Sequence, residues 1–166
     1  MGFETFRVEL RGGTAPFHEV VEVLQKSPQV RPDPQAVALE ASAFFVKDDG
    51  RHILELEVMD APVKLSCRFT LCHPPSVDAA FLGFLREMMV RFGMAAKIGD
   101  DVRPEDARSF SLYEFEEFST IAASYIAARR AEWIGAFGDE PLAATTSQVF
   151  QRIILPRCQP GISQPT

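Results

Sequence analysis

The stretch ASAFFVKDDGRHILELEVMDAPVKLSCR, residues 41–68, decides how this chain folds. Leu54, Leu56 and Val58 alternate with Glu55 and Glu57, the period-two pattern of a half-buried strand. Asp49-Gly50 before it is the signature of a two-residue hairpin, whose central residues take positive φ. Such a turn pairs Asp48 with Arg51, and hence Phe45 with Leu54, Ala43 with Leu56 and Ala41 with Val58. All six of those pairing residues are apolar and share one face, as a true register requires. A second two-residue turn at Asp60-Ala61 pairs Val58 with Val63, Leu56 with Leu65 and Leu54 with Cys67. Its other face sets Glu57 against Lys64, a favourable cross-strand contact. The two turns agree on which face of the middle strand is buried, which predicts a three-stranded antiparallel meander.

Outward from the meander the pattern stays regular. Phe6, Val8 and Leu10 alternate with Arg7, Glu9 and Arg11, another strand, which Gly12-Gly13 ends. Thr14 is expected to cap a helix reaching Lys26, with Phe17, Val20, Val21 and Leu24 on one side. The run from Pro28 to Pro34 holds three prolines and reads as loop. After Pro74-Pro75, Ser76 is the expected cap of a helix striped by Val77, Phe81, Phe84, Leu85, Met88 and Phe92. Gly93 closes it, with Met94 supplying the apolar contact that accompanies a glycine cap.

A short strand follows in residues 94–101, then a loop. Ser111-Leu-Tyr-Glu114 reads as a capping box opening a long helix to Ala136, with Leu112, Phe115, Phe118, Ala122, Tyr125 and Ile126 facing inward. Pro141 starts a last helix carrying Val149, Phe150, Ile153 and Ile154, stopped by Pro156.

The expected fold is therefore α+β: one mostly antiparallel sheet of about five strands in the order β-α-β-β-β-α-β, with helices packed on it and a C-terminal helix pair. Residues 1–158 form a single domain and 159–166 a loose polar tail. The first two helices should cover the face of Leu54, Leu56 and Leu65. The opposite face mixes Arg7, Glu9, Glu55, Glu57, Lys64 and Arg68 with Phe44, Val46 and Ile53. That is too apolar for a wet surface and too charged for a core, so either the C-terminal helices or another chain should cover it.

Composition bounds the function. With 166 residues, 46% hydrophobic and 24% charged, the chain has ordinary globular content. A net charge of −6 leaves no basic excess to neutralise phosphates, which argues against nucleic acid. No apolar run approaches the roughly 18 residues needed to span a bilayer, so no membrane role is expected. Three cysteines and no export signal read as reduced thiols in the cytoplasm.

Candidate chemistry is sparse. Cys72 and His73 are adjacent, so on a strand they point to opposite faces and cannot share a metal. The plain reading is a strand–helix hinge. The functional one is an activated Cys72 thiolate beside a helix N-terminus, with His73 as base. Asp100, Asp101, Glu105 and Asp106 offer oxygen ligands to Mg²⁺ or Ca²⁺, but not at EF-hand spacing, and Arg103 competes for their charge. The glycine turn Arg11–Thr14 lacks the further residues of a phosphate-binding loop. Neither a metal nor a cofactor is expected.

Arg129, Trp133 and Phe137 recur every four residues, either as a recognition stripe or with Trp133 packed in the core beneath Arg129. No GxSxG or HExxH motif occurs. The leading expectation is a non-catalytic protein-interaction or self-associating module, its partner another protein or its own copy. The interaction residues are Arg129, Trp133, Phe137, Phe44, Val46 and Ile53. The alternative is a small-molecule-binding protein or hydrolase with its site near Cys72, His73 and the Asp100/Asp101 loop.

Overall fold

Strand β4 (Ile53–Met59) lies inside a six-stranded sheet and buries Leu54, Leu56 and Val58 on one side. The computed structural model describes residues 5–33, 39–48, 53–71, 75–98 and 112–138. The strands are β1 (Thr5–Arg11), β2 (Val30–Pro32), β3 (Ser42–Asp48), β4, β5 (Lys64–Thr70) and β6 (Ala95–Ile98). The helices are α1 (Phe17–Lys26), α2 (Asp78–Phe92) and α3 (Phe115–Phe137), with a short 3₁₀ turn, Pro75–Val77, before α2. The strand order is β2-β3-β4-β5-β1-β6, and every pairing is antiparallel. The α+β fold with its antiparallel meander is as the sequence predicts. Among the described residues, no helix is long and apolar enough to cross a membrane.

Both hairpin registers differ from expectation by two residues. Asp48 stands opposite Ile53, which puts Phe45 across from Leu56 and Ala43 across from Val58. Met59 stands opposite Lys64, Val58 opposite Leu65, and Leu56 opposite Cys67. At the second turn the reason is Pro62. A two-residue loop would set it opposite Met59, in the pair that exchanges both backbone hydrogen bonds, and proline has no N–H to give. The connection therefore takes in Asp60 to Val63, where the Asp60 carboxylate accepts the Ala61 N–H at 2.8 Å. A shift of two preserves which face each side chain occupies, so the buried face is unchanged.

The sequence reading misses β2 because of its prolines. Asp33 N–H donates to Phe44 O at 3.0 Å and Asp48 N–H to Gln29 O at 2.9 Å. Hydrogen-bonded positions therefore fall at residues 29, 31 and 33 along this segment. Pro32 occupies the alternate position, where its missing N–H would have pointed away from β3, and an edge strand tolerates that. Strand β1 inserts between β5 and β6, antiparallel to both.

Helix starts are also corrected. Helix α1 begins at Phe17 with Pro16 at the cap position, not Thr14, because the residue before a proline is excluded from helical geometry and here that is Ala15. Ser76 is not the cap of α2, since the 3₁₀ turn runs directly into Asp78. The long helix starts at Phe115 and not after Ser111: Tyr113 is held extended by two backbone bonds to Ala96, at 2.8 and 2.9 Å. Leu112 is consequently exposed rather than turned inward. The cap of α2 is as expected. Gly93 takes φ 62°, Met94 N–H reaches Met89 O at 3.0 Å, and Met94 is buried. The helix expected from Pro141 and the tail 159–166 lie outside the described residues.

One contiguous core joins all three helices to one side of the sheet. It contains Phe6, Val8, Leu10, Leu54, Leu56 and Phe69 from the strands, with Val20, Leu24, Phe81, Met88, Phe118 and Ile126 from the helices. The Arg11–Thr14 turn is structural. A Cβ on Gly13 would lie 2.3 Å from the Phe92 carbonyl oxygen, so only glycine lets this turn cross the end of α2. Gly83, on the exposed side of α2, has nothing within 4 Å of such a Cβ. Gly13→Ala should therefore cost about 1–3 kcal/mol, whereas Gly83→Ala should stabilise by about 0.5–1 kcal/mol. Urea unfolding midpoints of the two variants check this, and a neutral Gly13→Ala would contradict the packing of the turn.

Candidate functional site

The side of the sheet away from the core is built by the same alternation that builds the core. The register sets Arg31, Val46, Glu55, Arg68 and Arg7 side by side across β2, β3, β4, β5 and β1. The adjacent row is Phe44, Glu57, Ser66, Glu9 and Lys97, and Asp33 extends it beyond Phe44 through its backbone bond. None of these residues belongs to the core cluster, and the described helices α1, α2 and α3 all contribute to that cluster from the other side.

This outer face is neither wet nor greasy. Val46, Glu9 and Ser66 are buried, while Phe44, Arg7, Glu57 and Lys97 are half-buried. Arg68 is ion-paired to Glu55 across β4 and β5, and Arg11 to Glu9 along β1. A depression of about 120 Å³ sits among Arg7, Phe44, Glu55, Glu57, Ser66 and Arg68. Small-molecule sites usually enclose about 300–1,000 Å³, so this dent does not suit a substrate.

A separate groove of about 510 Å³ lies where the end of α2 meets β1 and the start of α3, between Arg11, Met89, Val90, Gly93, Leu112 and Phe115. Val90 (76%) and Leu112 (53%) are among the most exposed large apolar residues described, and both line it. The Arg86 guanidinium lies 5.3 Å above the Phe115 ring beside it.

The sequence-predicted residues fall as follows. Phe44 and Val46 lie on the outer face, and Ile53 takes the register position opposite Asp48. Trp133 is buried and Arg129 half-buried on α3; the Phe137 side chain lies outside the described residues. Cys72, His73, Asp100, Asp101, Glu105 and Asp106 also lie outside them. Among the described residues, no group of three or more His, Cys, Asp or Glu side chains is disposed to hold a metal. Cys67 is fully buried on β5, and loss of solvation pushes its thiol well above the ordinary range.

One pair escaped sequence reading. Arg130 of α3 grips Asp78, the first residue of α2, with both prongs, at 2.9 and 2.8 Å. The partners are 52 residues apart, so no local spacing announces them. Arg130 is the more deeply buried, its side chain 9% exposed against 26% for Asp78. Losing the carboxylate takes a charged partner from the more deeply buried cation, while losing the guanidinium leaves a carboxylate that still reaches water.

Asp78→Asn should accordingly cost about 2–4 kcal/mol and Arg130→Met less, read from chemical unfolding of each variant; the reverse order would show that the pair is not what ties α3 to α2. Cys67 should resist alkylation by iodoacetamide in the folded protein and react only once the chain unfolds, because the thiolate is the nucleophile. Peptide mapping of native protein that finds Cys67 modified would contradict its burial. The chain matches no protein-family model, no curated protein and no solved structure, so the reading of the outer face rests on its own geometry.

Proposed function

We propose that this protein is a non-catalytic association module whose working surface is the outer face of the sheet. The observation that carries the reading is the asymmetry of the sheet. All three described helices contribute to the core on one side, and the other side holds Phe44 and Val46 among interleaved arginines and glutamates. Aromatic and arginine side chains are the residue types enriched where proteins bind one another. The shallow relief of the face, only about 120 Å³ at its depression, favours a protein partner over a small molecule. A cytoplasmic setting fits the buried free thiol of Cys67.

The test is a pair of lysine substitutions on full-length protein, with thermal unfolding confirming that each folds. Phe44→Lys places a charge at the apolar part of the outer face, and Val90→Lys does the same on the groove beside α2. Association, measured as self-assembly by sedimentation and as binding of any captured partner, should weaken by about tenfold or more with Phe44→Lys and be unchanged with Val90→Lys. The opposite result would move the working surface to the groove and overturn the proposal.

A further inference from the structure

We infer that the occupant of this face is a second copy of the same chain, packed face to face about a two-fold axis that crosses the strands between the two rows; this rests on reading the outer face as the association surface. The row of Arg31, Val46, Glu55, Arg68 and Arg7 carries three cations and one anion. The row with Asp33, Glu57 and Glu9 carries three anions against the single cation Lys97. The middle of the face is therefore two parallel stripes of opposite net charge, one residue pair apart along the strands; Glu9 of the second is already paired with Arg11, which stands with Met59 and Lys64 in the row beyond.

Symmetry decides how such a face can meet itself. A two-fold axis along the strands lays each stripe on its own copy in reversed strand order, so that stripes of the same net sign meet. An axis across the strands, midway between the stripes, exchanges them while keeping each strand over its counterpart. It also leaves the strands of the two sheets aligned, the usual way sheets pack. Arg31 then lies over the second copy's Asp33, Val46 over Phe44, Arg68 over Ser66 and Arg7 over Glu9, each contact made twice as an isologous interface demands. The one like-charge facing is Glu55 over Glu57, and there Arg68, ion-paired to Glu55 in its own chain, stands alongside.

The area sets the strength. Usual strand spacing and rise give a six-stranded face of about 25 Å by 20 Å. Two such faces bury roughly 1,000 Å², the lower bound for a specific interface, so a weak, concentration-dependent dimer is expected.

Sedimentation equilibrium of the full chain tests this. The wild type should show a monomer–dimer equilibrium whose dissociation constant rises as NaCl is raised to about 0.5 M, since exposed charge pairs are screened. Arg31→Glu and Asp33→Arg should each weaken the dimer by about tenfold. An equimolar mixture of the two variants should recover it, because Glu at 31 then faces Arg at 33 while the native Asp33 and Arg31 face each other. A salt-insensitive dimer, or variants that weaken without rescue on mixing, would overturn the inference. A wild type that stays monomeric while Phe44→Lys abolishes binding of a different protein would overturn it and leave the outer face as the association surface. A dimer indifferent to Arg31→Glu and to Phe44→Lys would remove both.

Discussion

Phe81 lies flat against Phe69, ring centroids 4.1 Å apart and 8° from parallel, and meets Phe6 nearly edge-on at 6.3 Å. Phe6 and Phe69 are direct partners in the β1–β5 register, so one side chain of α2 clamps two neighbouring strands. Tyr125 of α3 closes on the same Phe6 ring at 5.3 Å. This cluster draws α2 and α3 to one side of the sheet, where α1 joins them through Val20 and Leu24. The magnitudes explain why that side wins. Each fully buried large apolar side chain is worth about 1.5–3 kcal/mol, whereas an exposed ion pair contributes about 0–1 kcal/mol. Phe6, Phe69, Phe81 and their neighbours therefore settle the fold, and the charges of the outer face add little to it.

Period-two alternation made most of this legible. Leu54, Leu56 and Val58 announce the buried side of β4, and Phe44 and Val46 follow onto the other side by parity alone. Parity cannot see a shift of two residues, so both hairpin registers differ from expectation while the buried face agrees. The displacement matters for the site. Two-residue turns would set Glu57 against Lys64, whereas the observed register sets Glu55 against Arg68 and brings Arg31, Arg68 and Arg7 into one row. The charge stripes are a property of the register, which parity alone does not fix.

Other misses trace to proline and to distance. Pro16 delays α1, Pro62 lengthens the second hairpin, and Pro32 disguises an edge strand, each through a missing N–H or a neighbour barred from helical geometry. Tyr113 gives up its place in a helix for two backbone bonds to Ala96, a preference that appears only when β6 is beside it. The Arg130–Asp78 clasp joins the first residue of α2 to the second half of α3, far apart in sequence, and neither residue type nor spacing points to it.

Two surfaces compete for the working role: the striped outer face, and the groove where Val90 and Leu112 stand exposed. Hydroxyl-radical footprinting, carried out from low to high micromolar protein, reads both at once. The account predicts that Phe44 and Met59 on the outer face lose reactivity as concentration rises, while Val90 and Leu112 stay equally reactive. Protection of Val90 and Leu112 with no change at Phe44 and Met59 would contradict it.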